Sequence, residues 1–205
     1  MTGPLVVAIA YLVGSVPTGL WLVRWVRGLD VREHGSGNIG TANVYRVAGP
    51  WLGAAVLAAD VLKGLLPVMA AQTLGLGPAW AVAAGVASIA GHNWSAFLRF
   101  QGGKGVATSF GVLVALSPTA AAVAAAVWVL AVGLTRYASV GSVLALLSVP
   151  ATMALLREPT PHLAFGLAAA ALGVFRHRAN LRRLREGTEL RITDRPRGPT
   201  GPSGL

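Results

Sequence analysis

Cysteine is absent from the 205 residues, so disulfides, thiolate metal ligands and a cysteine nucleophile are all excluded. Carboxylates are scarce too: 7 Asp and Glu stand against 17 Lys and Arg, and charged residues of both signs make up only 12%. Magnesium and calcium take oxygen ligands that would have to come from those few carboxylates, so no metal is expected, and no organic cofactor either. None of His34, His92, His162 and His177 is followed five residues later by Asp, which removes a short-range dyad of base and orienter. Nor do positive residues precede the first apolar stretch, Pro4 to Val23, as they would in a signal peptide. Arg24 and Arg27 follow it instead, and it reads as a retained span.

What is abundant is apolar. Hydrophobic residues make up 54% of the chain and the mean hydropathy is +0.63, well beyond an ordinary water-soluble domain. Apolar stretches run over 4–26, 47–76, 79–98, 109–133, 137–156 and 162–175, where about 20 residues suffice to cross the hydrocarbon core. The expected fold is an all-α polytopic membrane helix bundle over 1–194, with room for about five to seven spans, short or re-entrant ones included. A Pro/Gly-rich tail at 195–205 is expected to be disordered.

Positive residues follow the first stretch (Arg24, Arg27, Arg32, Arg46) and the third (Arg99, Lys104), whereas the 71–79 link carries none. The positive-inside rule then puts the N-terminus outside, with the two glycine-rich loops and the C-terminus in the cytoplasm. Six full crossings would leave the Arg-rich C-terminal segment outside. The short 162–175 stretch is therefore expected to be re-entrant or partial, with a split of 137–156 as the alternative. The net charge of +10 follows the ends of the spans and not one soluble face, so membrane lipid is an expected partner and nucleic acid is not.

Residues 35–46 read Gly-Ser-Gly-Asn-Ile-Gly-Thr-Ala-Asn-Val-Tyr-Arg. Gly35, Gly37 and Gly40 let the backbone turn sharply and aim N–H groups at an anion, and a helix starting there would add its dipole. Ser36, Asn38, Thr41 and Asn43 add polar side chains, although such a loop by itself is more readily a turn between helices. Further on, Gly102-Gly103-Lys104-Gly105 stands ahead of an apolar helix like a phosphate cradle. It is not a nucleotide P-loop, because Leu98 occupies the place of its first glycine and Gly105 that of its hydroxyl residue. Trp94, Phe97 and Phe100, three apart, read as one apolar helical face, packed or in an interface belt. The Arg-rich segment 176–189 reads as a membrane-surface element held by anionic lipid. Asp60 and Lys63, three apart within an apolar stretch, share a helical face and lessen the cost of burying each other.

Glycine-bearing, carboxylate-poor polar segments suit a phosphorylated substrate. In order and spacing they resemble one family, the acyl-phosphate-dependent glycerol-3-phosphate acyltransferases of bacterial membranes. The match consists of 35–46, Asp-Val-Leu-Lys-Gly at 60–64, Gly-His-Asn-Trp-Ser-Ala-Phe-Leu-Arg-Phe-Gln-Gly-Gly-Lys-Gly-Val-Ala-Thr at 91–108 and His-Arg-Ala-Asn-Leu-Arg-Arg-Leu at 177–184. The resemblance implies a seven-helix fold in the bacterial inner membrane with its active site at the cytoplasmic face. It implies transfer of an acyl group from acyl phosphate to the 1-hydroxyl of glycerol 3-phosphate, giving lysophosphatidic acid and inorganic phosphate, by a chain acting as a monomer. Ser36, Lys104, His177 and Asn180 are implied as catalytic. Gly37, Asn38, Gly40, Thr41, Asn43, Arg46, Gly102, Gly103 and Ser142 are implied as substrate-binding. A partial helix after the first glycine loop would supply the seventh helix. The alternative from another class is a small transporter for an anionic phosphorylated metabolite, gated by Asp60 and Lys63; the two inverted halves that would favour it are not visible.

Overall fold

A computed structural model describes residues 1–194; the tail at 195–205, expected to be disordered, lies outside the described residues. Helices α1 (Thr2–Ser15) and α2 (Thr18–Arg27) divide the first apolar stretch, and α3 (Thr41–Ala48) follows the first glycine loop. Then come α4 (Pro50–Thr73), α5 (Pro78–Asn93), α6 (Val106–Leu116), α7 (Pro118–Thr135), α8 (Ala138–Leu155), α9 (Thr160–Arg176) and α10 (Arg178–Arg185). Proline opens α4, α5 and α7, where its missing N–H would have had no intrahelical partner.

The segments Thr2–Arg27, Pro50–Thr73, Pro118–Thr135 and Ala138–Leu155 are long and apolar enough to cross a membrane. The turns gather at two opposite ends of the bundle. At one end Gln72 of α4 donates to the Ala115 carbonyl of α6. At the other, Lys104 ahead of α6 meets Asn180 of α10, and the Arg136 carbonyl after α7 accepts from the Ile192 N–H. Among the described residues the chain passes between these two ends seven times, once through α1 and α2 together and once through each of α4 to α9, leaving its N-terminus at the end opposite α10.

The seventh pass comes from an unexpected place. The stretch 109–133 is two passes, because α6 stops at Leu116 and Pro118 opens α7; a residue before proline is pushed out of the helical region, and proline has no N–H to continue the ladder. The short 162–175 stretch is not partial, since α9 runs 17 residues from one end of the bundle to the other. Nor is 137–156 split, as α8 continues through Pro150. The helix expected after the glycine loop exists as α3, but its 8 residues lie at the site end and add no crossing. The shortest pass is α6, whose 11 residues reach only about 16 Å against a hydrocarbon core of about 30 Å. The loop ahead of it is consequently drawn into the bundle, with Ser95, Gly103 and Gly105 buried, as irregular backbone at membrane depth must be.

That loop also corrects the reading of Trp94, Phe97 and Phe100 as a helical face. Ser95 N–H donates to Gln101 and Phe100 N–H back to Ser95, while Arg99 and Phe100 both take positive φ. The three aromatics are exposed from a folded-back loop, and Phe97 meets Trp21 with ring centroids 5.7 Å apart.

Close helix packing relies on small residues, as is general where lipid offers no hydrophobic drive. A Cβ at Gly14 of α1 or Gly91 of α5 would strike the facing backbone, and the same holds for Gly64 of α4 and Gly111 of α6. The break between α1 and α2 at Pro17 is held by charge. Asp60 accepts from the Thr18 hydroxyl at 2.5 Å and lies 2.8 Å from the Lys63 ammonium, which also donates to the Val16 carbonyl at 3.1 Å. The cation therefore faces the negative end of α1 and the carboxylate the positive start of α2.

Candidate active site

Three segments distant in sequence converge at the end of the bundle that carries α3 and α10. The first is the glycine loop, and its organiser is Asn43, only 2% exposed. Its amide nitrogen donates to the Val31, His34 and Asn38 carbonyls at 2.9–3.1 Å, and its oxygen accepts from the Ser36 N–H at 2.8 Å. Asn43 thus clamps the loop, and its amide has no N–H left to offer an anion. The N–H groups of Gly37 and Gly40 are also taken, by the His34 carbonyl and by the Asn38 side chain. The expected anion cradle narrows to the start of α3, where the Thr41 and Ala42 N–H groups and the Thr41 hydroxyl have no partner among the described residues. The Ser36 hydroxyl is exposed and equally unpartnered there.

The second segment carries Lys104. Gly102 and Gly103 do not form a nest of N–H groups: the Gly103 N–H donates to the His92 carbonyl, and both glycine carbonyls accept from Arg176, as does that of Asn93. A Cβ at Gly103 would collide with the His92 ring. The Gly103 N–H is thus not free for an anion, and the two glycines hold the backbone that leads into Lys104. The Lys104 ammonium donates to Asn180 Oδ1 at 2.5 Å. Burial lowers its pKa to about 8, with Glu189 working the other way and Arg183, Arg46 and Arg176 adding to the fall.

The third segment joins α9, α10 and the following residues 186–192, which form a strap. His177 is 2% exposed and its Nδ1 lies 2.8 Å from the Gly173 carbonyl. A carbonyl only accepts, so Nδ1 carries the hydrogen and Nε2 keeps a free lone pair. Burial, reinforced by Lys104, lowers the pKa of His177 to about 4, so it is neutral throughout the neutral range. Asn180 is used at both ends, its oxygen by Lys104 and its nitrogen by Glu189 at 2.5 Å. Arg46 reaches the strap from α3, donating Nε to the Arg191 carbonyl at 2.8 Å and Nη2 to that of Leu190 at 3.1 Å.

Two participants escaped the sequence. Glu189 accepts from Asn180, from the Ser139 hydroxyl and from Arg183 Nε, the latter two at 2.8 Å. Burial pushes its pKa up, but those donors outweigh burial and hold it below the usual carboxylate range. Ser142, the expected binding residue of α8, instead donates to the Ala138 carbonyl one turn back and accepts weakly from Trp128. Ser139, three residues earlier, is the one that reaches the network.

A family model described as glycerol-3-phosphate acyltransferase matches residues 4–187. Curated relatives with that description include one from Desulforudis audaxviator (strain MP104C), 49% identical over 191 residues and covering 93% of this chain and 96% of the relative. Another, from Geobacter sulfurreducens, is 46% identical over 185 residues, 90% of this chain and 95% of the relative. A crystal structure of PlsY (YgiH), an integral membrane glycerol 3-phosphate acyltransferase in its glycerol 3-phosphate form, matches with a TM-score of 0.89 at 36% identity over 93% of this chain and 96% of its own. The lysophosphatidic acid form gives 0.85 at 34% identity, over 93% and 95%. With the all-helical membrane fold shared and nearly the whole described length matched, this chain belongs to the glycerol-3-phosphate acyltransferase family.

Proposed function

We propose that the chain moves a fatty acyl group from acyl phosphate to the 1-hydroxyl of glycerol 3-phosphate, forming lysophosphatidic acid and releasing inorganic phosphate. The observation that carries this reading is the gathering of Lys104, Arg46 and His177 about Glu189 and its strap, at the end of the bundle that also holds the unpartnered start of α3. The relatives' names supply glycerol 3-phosphate, and the solved relatives include forms with that compound and with lysophosphatidic acid. Acyl phosphate is a mixed anhydride whose departing phosphate needs charge stabilisation more than it needs a strong acid.

Lys104 uses one of its three N–H bonds on Asn180, so the other two can hold the phosphate of glycerol 3-phosphate together with the uncommitted Nη1 of Arg46. The Thr41 and Ala42 amides, with Ser36 nearby, receive the acyl phosphate. His177 Nε2 accepts a hydrogen bond from the attacking hydroxyl and orients it. The hydroxyl oxygen bonds to the acyl carbon, the bond from that carbon to the phosphate oxygen breaks, and phosphate leaves with the electron pair. An imidazole with a pKa of about 4 is a poorer final proton acceptor than a phosphate, whose second pKa is about 6, so the proton passes to phosphate.

Arginines 24, 27, 32, 99, 178, 182, 183 and 185 lie at the site end, whereas Arg157 lies near the other. By the positive-inside rule the site end is cytoplasmic, with the N-terminus outside a bacterial inner membrane. The chain acts as a monomer in this reading, since all of these groups come from one copy.

The test is the protein purified in detergent with acyl phosphate and glycerol 3-phosphate. Release of inorganic phosphate together with lysophosphatidate is expected. Product only from another acyl donor, or uptake into vesicles without chemistry, overturns the proposal. Gly103→Ala is a sharper probe, because its new methyl meets the His92 ring. Overpacking of this kind costs about 1–3 kcal/mol, and a 1 Å displacement of Lys104 lowers transfer about 10²-fold, read as thermal stability and initial rate on the same sample.

A further inference from the structure

We propose that Glu189 is a positioning residue for acyl transfer: its carboxylate sets which way the Asn180 amide faces and thereby holds Lys104 as an aimed ammonium. This rests on Lys104 binding substrate phosphate, as proposed above.

An asparagine side chain presents two ends of nearly equal size, one accepting and one donating. An ionised carboxylate only accepts, so with Glu189 Oε1 2.5 Å from Asn180 Nδ2, the amide oxygen must face Lys104. The flipped amide would set oxygen against oxygen on one side and N–H against ammonium on the other. Glu189 is itself fixed by Ser139 of α8 and Arg183 of α10, and it is 9% exposed. Its strap is pinned on both sides, by Arg46 at Leu190 and Arg191 and by the Arg136 carbonyl at the Ile192 N–H.

Charge acts in the same direction as geometry. The groups that bear on Lys104 are Glu189 from the strap, Arg46 from α3, Arg176 and His177 around the end of α9, and Arg183 from α10. Glu189 is the one anion among them, so it opposes both burial and the surrounding arginines in keeping Lys104 protonated. Without it the amine loses its proton at lower pH.

The experiment compares wild type with Glu189→Gln, which keeps the shape, removes the charge and lets the amide of residue 180 turn over. Loss of an outer partner of this kind typically costs about 10–100-fold. That loss is expected in kcat/KM for glycerol 3-phosphate, mainly through KM. Wild-type kcat/KM is expected to fall as pH rises through about 8, and in Glu189→Gln that alkaline limb is expected at lower pH. Adding Lys104→Arg to Glu189→Gln removes the limb, because arginine stays charged. Glu189→Asp restores the charge, so its limb returns to the wild-type position while KM remains raised. A lowered melting temperature with unchanged KM and an unmoved limb overturns the proposal. Should Glu189→Gln fail to fold, Glu189→Asp decides: a limb shifted away from wild type overturns it, and an unshifted limb with raised KM upholds it. Wild type inactive with acyl phosphate would sink the underlying reading instead, a result separate from either of these.

Discussion

Lys104→Ala lowers kcat/KM for glycerol 3-phosphate by about 10²–10³-fold, the usual cost of deleting a charge-stabilising donor from a water-poor site. The amine is half-buried with Asn180 as its protein acceptor, and no other lysine is near to substitute, since the second one in the chain, Lys63, sits within α4. If Lys104 grips the phosphate before and during attack, KM rises together with the fall in rate. Lys104→Arg keeps a cation but replaces a compact point charge with a wider, flat one, so it recovers part of the rate and abolishes the fall above about pH 8 expected with lysine. Near-normal transfer by Lys104→Ala would remove the central part of the mechanism.

Asp60→Ala is expected to destabilise the fold by about 3–5 kcal/mol, because it leaves Lys63 charged and unpaired in the interior. Asp60 and Lys63 are 1% and 5% exposed, and together they close the break between α1 and α2 at Pro17. Replacing both by apolar residues of similar volume, Asp60→Leu with Lys63→Met, recovers most of the loss, as is common for buried pairs. Chemical denaturation in a fixed detergent measures both. A pair that gated a transport pathway would behave differently: the single variant would keep its stability and change flux. The geometry favours the structural task, since each charge faces the helix end of opposite sign.

Much of this was legible in the chain itself, for reasons that differ by residue. Long apolar runs announced most of the helices, and the placement of arginine ordered the turns. The Gly35–Arg46 loop, Lys104, His177 and Asn180 stood out because polar residues beside glycine are unusual in so apolar a chain. The break at Ser117-Pro118 was hidden because the residues on both sides are equally apolar, and hydropathy does not register a reversal made by two residues. Ser139 and Ser142 lie three apart on one face of α8, and only the position of the strap tells which of them meets a partner. Glu189 was read as one more charge in a surface cluster. Its role depends on contacts with Ser139, 50 positions earlier, that no local pattern encodes. Asn43 and Gly103 have their N–H groups engaged in holding loops, and composition alone does not separate a residue that shapes a binding loop from one that touches its ligand.

The manner in which Lys104 is held has a chemical corollary. An activated acyl donor modifies any unprotected amine or thiol within reach. This chain has no thiol and two lysines, one locked against Asp60 and the other bound to Asn180 close to a carboxylate. A protonated amine has no lone pair with which to attack. In the proposed reaction, the contact that readies Lys104 for an anion therefore also restrains its amine from taking up the acyl group in place of the substrate's hydroxyl.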